Sequence, residues 1–256
     1  MAEFLEVAKQ AVLEASNIIR SKSGKNEEVL DKISRFDIVT QVDLDSEYKI
    51  LESIRASFPG HNILSEEKGL SNIGSEFTWV IDPLDGTALF TAGLPDYCVA
   101  IGLLKNNEPY LGVISRVETS ETYWAQVGQG AFKNGQRIHV SDVDDLSRAV
   151  VFSDYQNTWE QRVQDLNRAE LLLKSVKTLR SGTGSVSSLA YLAEGKISGF
   201  THVCKPWDFA AGAIIIKEAG GKVTNLNGSE PDWTKERLDL VASNGLIHEQ
   251  ILEALK

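Results

Sequence analysis

Phe77-Thr78-Trp79-Val80-Ile81-Asp82-Pro83-Leu84-Asp85-Gly86-Thr87 is the stretch from which the rest of the chain can be read. Its apolar start has the character of a buried strand, and it ends in two aspartates. Pro83 offers no N–H and fixes φ, so the strand is expected to stop and turn there. Gly86 permits a close backbone approach, and Thr87 brings a hydroxyl to the same place. Two carboxylates at a buried strand end are costly unless a cation neutralises them. The N–H groups of Gly86 and Thr87, opening the next turn, suit an anion such as phosphate. Two readings stand side by side at this point: a site for a cation and a phosphate, or an ordinary Asp-Gly turn.

Upstream, Phe4, Val7, Ala8, Ala11, Val12, Ala15, Ile18 and Ile19 recur at helical spacing, and Ser23-Gly24-Lys25-Asn26 ends that helix. A second helix is expected after Asp37, carrying Asp43 in its first turn and stopped by Pro59-Gly60. Asn62-Ile63-Leu64 is a short strand that leads into Ser65-Glu66-Glu67. Downstream, Tyr97 to Leu104, Tyr110 to Val117 and Thr122 to Val127 read as antiparallel strands. Asn134-Gly135 marks a hairpin before Arg137 to Val140.

From residue 145 the pattern alternates strand and helix. Ala149 to Ser153, Lys196 to Val203, Lys222 to Leu226 and Asp239 to Ala242 are strands; Trp159 to Val176, the segment after Ser181-Gly182-Thr183-Gly184-Ser185, Pro206 to Ala219 and Ile247 to Leu255 are helices. The fold class expected is a layered α/β (α+β) protein. An antiparallel sheet fills the first half, 1–144, and a smaller α/β unit the second, 145–256, the two packed as one body.

The chain has 256 residues, 42% hydrophobic and 24% charged, as in a globular protein with a sizeable core. A formal net charge of −10 and no basic run exclude a nucleic-acid surface. Cys98 and Cys204 have no C-x-x-C or zinc spacing and read as buried thiols in a reducing cytoplasm. No secretory signal opens the sequence and no apolar run reaches the length of a membrane span, so no membrane partner is expected.

His61, His139, His202 and His248 are scattered and read as surface or turn residues. There is no G-x-S-x-G elbow and no Walker loop, and Asp43-Leu44-Asp45-Ser46-Glu47 lacks the glycine of a calcium loop. Carboxylates at element ends remain: Asp43, Glu66, Glu67, Asp82, Asp85 and Asp208. Oxygen-only ligands select hard cations, favouring Mg²⁺. The bland alternatives are a solvated loop for Glu66-Glu67 and a helix cap for Asp208.

Asp82-Pro83-Leu84-Asp85-Gly86-Thr87 resembles the D-P-[ILV]-D-G-T motif of the inositol monophosphatase superfamily of Mg²⁺-dependent, lithium-sensitive phosphatases. Pro206-Trp207-Asp208-Phe209-Ala210-Ala211-Gly212 is similar to its W-D-x-A-A-G motif. Asp37 to Asp43, Leu64 to Glu67 and Gly130 to Gly135 match in order, so the resemblance covers nearly the whole chain. It implies an αβαβα sandwich, a homodimer and a phosphate monoester substrate hydrolysed with two or three Mg²⁺ ions. By position, it places Glu66, Asp82 and the Leu84 carbonyl on the first ion, Asp82, Asp85 and Asp208 on the second, and Glu66 with Asp43 on a third. Thr87, Asp43 and Glu67 form the candidate catalytic set, with Thr87 bonded to Asp43 and acting on the attacking water. Gly86, Thr87, Gly184, Ser185 and Asp208 are the candidate substrate contacts.

The family's T-x-N-F continuation is Thr87-Ala88-Leu89-Phe90 here, and the glutamate expected about seven residues before Asp208 is missing from Phe200-Thr201-His202-Val203. These departures imply a broad or shifted specificity among polyol and sugar phosphates. The alternatives are fructose-1,6-bisphosphatase, histidinol-phosphate phosphatase or 3′(2′),5′-bisphosphate nucleotidase activity, or a non-catalytic regulatory protein on the same fold.

Overall fold

The computed structural model describes residues 2–24, 29–31, 38–156, 158–181 and 183–256; Lys25, Asn26, Asp37 and Gly182 of the sequence reading lie outside them. Alternation along β5 (Phe77–Asp85) sorts the first two layers. Trp79 and Ile81 point to one side, where Ala8, Val12 and Ile19 of α1 (Ala2–Lys22) and Ile50 and Ile54 of α2 (Gln41–Ser57) pack on them. Val80 points to the other, into a core shared with α5 (Ser185–Ala193) and α6 (Pro206–Glu218).

The sheet that carries β5 has eight strands in the order β10-β9-β8-β7-β6-β5-β3-β4. These are β10 (Gln136–Ile138), β9 (Gly130–Lys133), β8 (Glu121–Gln126), β7 (Glu108–Arg116), β6 (Cys98–Lys105), β3 (Asn62–Ser65) and β4 (Gly69–Ser71). β3 runs parallel to β5 and the other neighbours are antiparallel. The parallel pair brings the ends of β3 and β5 to the same edge, which is why Glu66 and Asp82 meet. Asn134 (φ 49°) and Gly135 (φ 80°) form the expected left-handed hairpin turn between β9 and β10.

The second sheet has the order β12 (Thr178–Arg180), β11 (Val150–Ser153), β13 (Gly199–Cys204), β15 (Leu238–Ser243), β14 (Lys222–Asn225). β11 is parallel to both β12 and β13. Leu172 of α4 (Trp159–Leu173) and Ile251 of α7 (His248–Ala254) cover its far side, against Val151 and Val241. The layers are therefore αβαβα, with the first sheet built before residue 139 and the second after 149.

The central layer depends on close approach. Gly102 on β6 pairs with Gly112 on β7, and both lie beneath α6. A Cβ at Gly112 would stand 2.3 Å from the Ala211 carbonyl oxygen, and one at Gly102 3.1 Å from the Ala211 nitrogen. The helix thus lies almost backbone-to-backbone on the sheet. Beside it a charged cluster ties the sheet to α5. Arg116 reaches Glu121 at 2.6 Å, Asp96 at 3.2 Å and the Tyr191 hydroxyl at 2.6 Å, and Lys133 joins Glu121 to Glu194.

Three expectations need correction. The strand does not stop at Pro83: β5 continues to Asp85, and a register shift between Asp82 and Asp85 absorbs the missing N–H. The second helix starts at Gln41, after a short strand, β2 (Ile38–Thr40), which pairs with β1 (Val29–Asp31). His248 is not a surface residue: it is fully buried, hydrogen-bonded at 2.8 Å to both Thr224 and Ser243, and burial pushes its pKa down to about 4.

Gly112→Ala is expected to destabilise the protein by about 1–3 kcal/mol through overpacking against α6, read from the midpoint of a urea transition.

Candidate active site

The cleft lies where β5 ends and the N-termini of α3 (Thr87–Thr91), α5 and α6 come together with the ends of β11 and β13. Its volume is about 630 Å³, and Glu66, Asp82, Leu84, Asp85, Gly86, Thr87, Gly184, Ser185 and Asp208 all line it. A more open depression of about 550 Å³ beside α7, lined by Asp145, Leu146 and Glu249, gathers none of the residues the sequence singled out.

Each aspartate is anchored through a backbone N–H. Asp82 Oδ1 accepts from the Leu84 N–H at 3.1 Å, within the β5 irregularity. Asp85 Oδ2 accepts from the Val186 N–H at 3.0 Å, so it caps α5 across 101 residues, in place of a side-chain cap from Gly184. Asp208 Oδ2 accepts from the Lys205 N–H at 2.7 Å in the first turn of α6. Asp43 Oδ2 accepts from the Thr40 N–H at 2.8 Å and the Thr40 hydroxyl at 2.6 Å, completing the capping box of α2. The helix-cap reading of Asp208 is thus correct as geometry, and it leaves the other carboxylate oxygen for the cleft.

Burial and crowding then act on these groups. Burial, with Glu66, Asp85 and Asp208 nearby, lifts the pKa of Asp82 well above the usual carboxylate range. Asp85 rises to about 7, through burial first and the charge of Asp154 second. Asp208 also rises to about 7, again through burial, with Asp85 and Asp154 adding to it. This is negative charge in excess of its local compensation. Among the described residues, the one ammonium in the cleft wall, Lys205, stands 2.5 Å from Glu236.

Oxygen donors, concentrated charge and a confined cleft fit Mg²⁺. Among the described residues, no three acidic, histidine or cysteine side chains close into a finished metal cage. The carboxylates instead stand around the cleft, each drawn back to its own backbone partner.

Thr87 lies over Asp43. Its hydroxyl is 2.8 Å from Asp43 Oδ1 and 3.0 Å from the Leu84 carbonyl, two acceptors for one proton. Asp43 is fully buried beneath it and does not reach the cleft. Gly86 has φ 86°, and a Cβ there would stand 2.9 Å from the Asp96 carbonyl oxygen. Its own carbonyl accepts from Leu89 and Phe90, starting α3 and leaving the amides of Gly86 and Thr87 in the unpaired first turn.

Not every expected residue arrives. Glu67 is not among the cleft-lining residues; its N–H and that of Lys68 are held by Glu47, at 3.2 and 3.1 Å. Gly184 is at the cleft chiefly because it makes room for Asp85: a Cβ there would be 2.2 Å from Asp85 Oδ2. The sequence reading missed Asp154, Gln156 and His202, which also line the cleft. No motif marks Asp154; the signal available was a lone carboxylate directly after a strand. His202, read as a surface or turn residue, sits in β13 at the cleft wall, where burial lowers its pKa.

Residues 1–256 match the inositol monophosphatase family along their whole length. The chain belongs to that family. A fructose-1,6-bisphosphatase/inositol-1-monophosphatase of Aquifex aeolicus is 35% identical over 259 residues, covering 100% of this chain and 96% of the relative. The structure of inositol monophosphatase from Anabaena (Nostoc) sp. PCC 7120 superposes with a TM-score of 0.86 at 35% identity, covering 99% and 95% of the two chains. An IMPase/NADP phosphatase complexed with Mg²⁺ and phosphate shares the fold at 24% identity, with a TM-score of 0.86 over 100% of this chain and 95% of its own. Family members are phosphoric monoester hydrolases, and the αβαβα arrangement is theirs.

The raised carboxylates set the sign of a pH effect. In the metal-free protein Asp85 and Asp208 hold protons up to about 7, against 3.8 in an ordinary carboxylate, so the folded state binds more protons than the unfolded one. Their contribution to stability is expected to fall as pH rises from about 4 to about 7, and Mg²⁺ to restore it most at the upper end. Thermal melts at about pH 5.5 and about pH 7.5, with EDTA or Mg²⁺, check this: a Mg²⁺ increment no larger at the higher pH contradicts it.

Proposed function

We propose that this protein is a Mg²⁺-dependent phosphomonoesterase that hydrolyses inositol monophosphate or a related small polyol phosphate. The observation that carries the reading is the convergence of Glu66, Asp82, Asp85 and Asp208 on one cleft beside the Thr87–Asp43 pair. Glu66, Asp82, Asp85, Asp208 and the Leu84 carbonyl would hold the ions. Bound there, Mg²⁺ supplies the positive charge that draws a phosphate dianion into an acidic cleft and favours attack by water at neutral pH.

The chain's own groups do the rest. Amides of Gly86 and Thr87 face the phosphate at the first turn of α3, where N–H groups are left without helical partners. Thr87 Oγ1 donates to Asp43 and keeps lone pairs toward the cleft, so it can take a proton from water while passing its own to Asp43 Oδ1. The N-cap bonds from Thr40 hold Asp43 in place for that exchange. The reading uses Glu66, which lines the cleft, and not Glu67, which does not.

The resemblance to inositol monophosphatases also supports a cytoplasmic homodimer, two or three ions per site, and the two halves folding as one unit. Light scattering behind a sizing column checks the dimer.

Asp85→Asn is expected to lower kcat/KM for inositol 1-phosphate by at least about 100-fold, the upper end of what outer-shell changes around a metal produce. The same change removes a carboxylate whose pKa is raised to about 7, so the metal-free variant should melt no lower than the parent at neutral pH. Unchanged turnover in a folded variant contradicts the ligand assignment. Absence of Mg²⁺-dependent phosphate release from inositol, fructose, histidinol and nucleotide phosphates alike contradicts the function.

A further inference from the structure

The cleft wall opposite the Gly86–Thr87 turn belongs to the second sheet. Ser153 on β11 pairs in parallel register with Thr201 on β13, and the Asp154 N–H donates to the Thr201 carbonyl at 3.4 Å. The next residues of the two strands, Asp154 and His202, therefore emerge side by side at the cleft. Asp154 is partly exposed there. Its Oδ1 accepts from the Tyr155 N–H at 2.9 Å, and its carboxylate also accepts from the Ser185 hydroxyl. Those bonds fix its direction.

Gln156 continues the same wall. Its N–H donates to Asp165 Oδ2 at 2.9 Å and its carbonyl accepts from Arg162 Nε at 2.8 Å, so its backbone is tied down. The residue is only 7% exposed, yet its Oε1 has no hydrogen-bond partner; Nδ1 of His202 is buried and unpartnered too. Buried polar atoms without partners are rare in folded proteins and mark places that a ligand can complete.

Among the described residues, the two cations that line the cleft already have partners. Lys205 is paired with Glu236 at 2.5 Å. Arg237 lies beside the same Glu236, and with the Gln161 carboxamide oxygen turned toward it, its Nη1 is 2.8 Å from that oxygen. The carboxylate of Asp154 and Oε1 of Gln156 accept hydrogen bonds, while Nδ1 of His202 accepts or donates according to its tautomer, so the spare capacity of the wall is chiefly for donors.

We propose that Asp154, with Gln156 and His202 beside it, is the specificity-determining wall for the alcohol half of the substrate, selecting alcohols rich in hydroxyl or amine donors over those carrying a second anion. This rests on the phosphomonoesterase reading above and narrows its substrate class to donor-bearing monophosphates. A second phosphate or carboxylate directed to this wall would meet the Asp154 charge with Asp85 and Asp208 close by. A ring hydroxyl would find an oriented carboxylate, a hydrogen bond strengthened by its charge.

Steady-state hydrolysis at saturating Mg²⁺ by the parent and Asp154→Asn tests the wall, with inositol 1-phosphate, fructose 1,6-bisphosphate and 4-nitrophenyl phosphate as substrates. Asp154→Asn is expected to reduce kcat/KM for inositol 1-phosphate about 10-fold more than for the nitrophenyl ester, chiefly through KM, and to improve the bisphosphate relative to inositol 1-phosphate. Equal losses on inositol 1-phosphate and the nitrophenyl ester, or a parental preference for the bisphosphate, overturns the proposal. Calorimetric binding separates it from the functional reading. Should the parent bind inositol 1-phosphate without hydrolysing any ester, the catalytic reading fails. The wall still stands if Asp154→Asn then weakens that ester about 10-fold more than it weakens inorganic phosphate, and falls if both weaken alike.

Discussion

Burial of carboxylates that also repel one another is the constraint around which this molecule is arranged. Asp82, Asp85, Asp208 and Asp154 crowd one cleft with Glu66, and each of the four aspartates is driven toward its protonated form. Such a group persists because the backbone holds it. One oxygen of Asp82 is tied within the β5 irregularity, one of Asp85 caps α5, and one of Asp208 sits in the first turn of α6. Helix N-termini carry partial positive charge, and an anion beside one gains typically 0.3–1 kcal/mol, more when partly buried. Several such ends directed at one cleft offset part of the repulsion; a divalent cation is suited to offset the remainder.

The same tethers explain how the chemistry is distributed over distant parts of the sequence. Asp85 and Val186 are 101 residues apart, and their hydrogen bond fastens the end of the first sheet to the layer beneath the second. Gly184 adds to this by omission, since any side chain there would displace the Asp85 carboxylate. Asp43 works from a third direction: anchored by Thr40 at the start of α2, it lies under Thr87 rather than in the cleft. The Thr87 hydroxyl and its acceptor Asp43 thus belong to separate elements whose spacing is set by the packing of α2 on the first sheet.

Much of this was legible in the residues themselves. Alternating apolar positions located the strands of the first sheet, Asn134-Gly135 located a hairpin, and oxygen-rich element ends located the acidic cleft. What escaped is of one kind, contact between segments far apart in sequence. Pro83 marked an end to the strand because its missing N–H was judged locally, whereas a bulge against β6 accommodates it. His248 looked like a surface residue because neither Thr224 nor Ser243 is its neighbour along the helix. Glu67 and Glu66 are indistinguishable as adjacent letters; only the folded chain shows that Glu66 lines the cleft and Glu67 does not. Asp154 acquires meaning only from the parallel register that places it beside His202.

The glycine pair under α6 has a further consequence. With Gly102 and Gly112 admitting α6 so close that backbone meets backbone at Ala211, the helix that carries Asp208 has almost no compliant side-chain layer between it and the sheet that carries Asp82 and Asp85. Side chains can rotate to share load; a backbone contact cannot. The distance between the candidate ligands on the sheet and the one on α6 is accordingly a rigid dimension of the molecule, a fixed jaw width. A cation of the wrong radius would have to be accommodated by the carboxylate rotamers alone, and discrimination between ions of equal charge would then arise in the glycines rather than in the ligands.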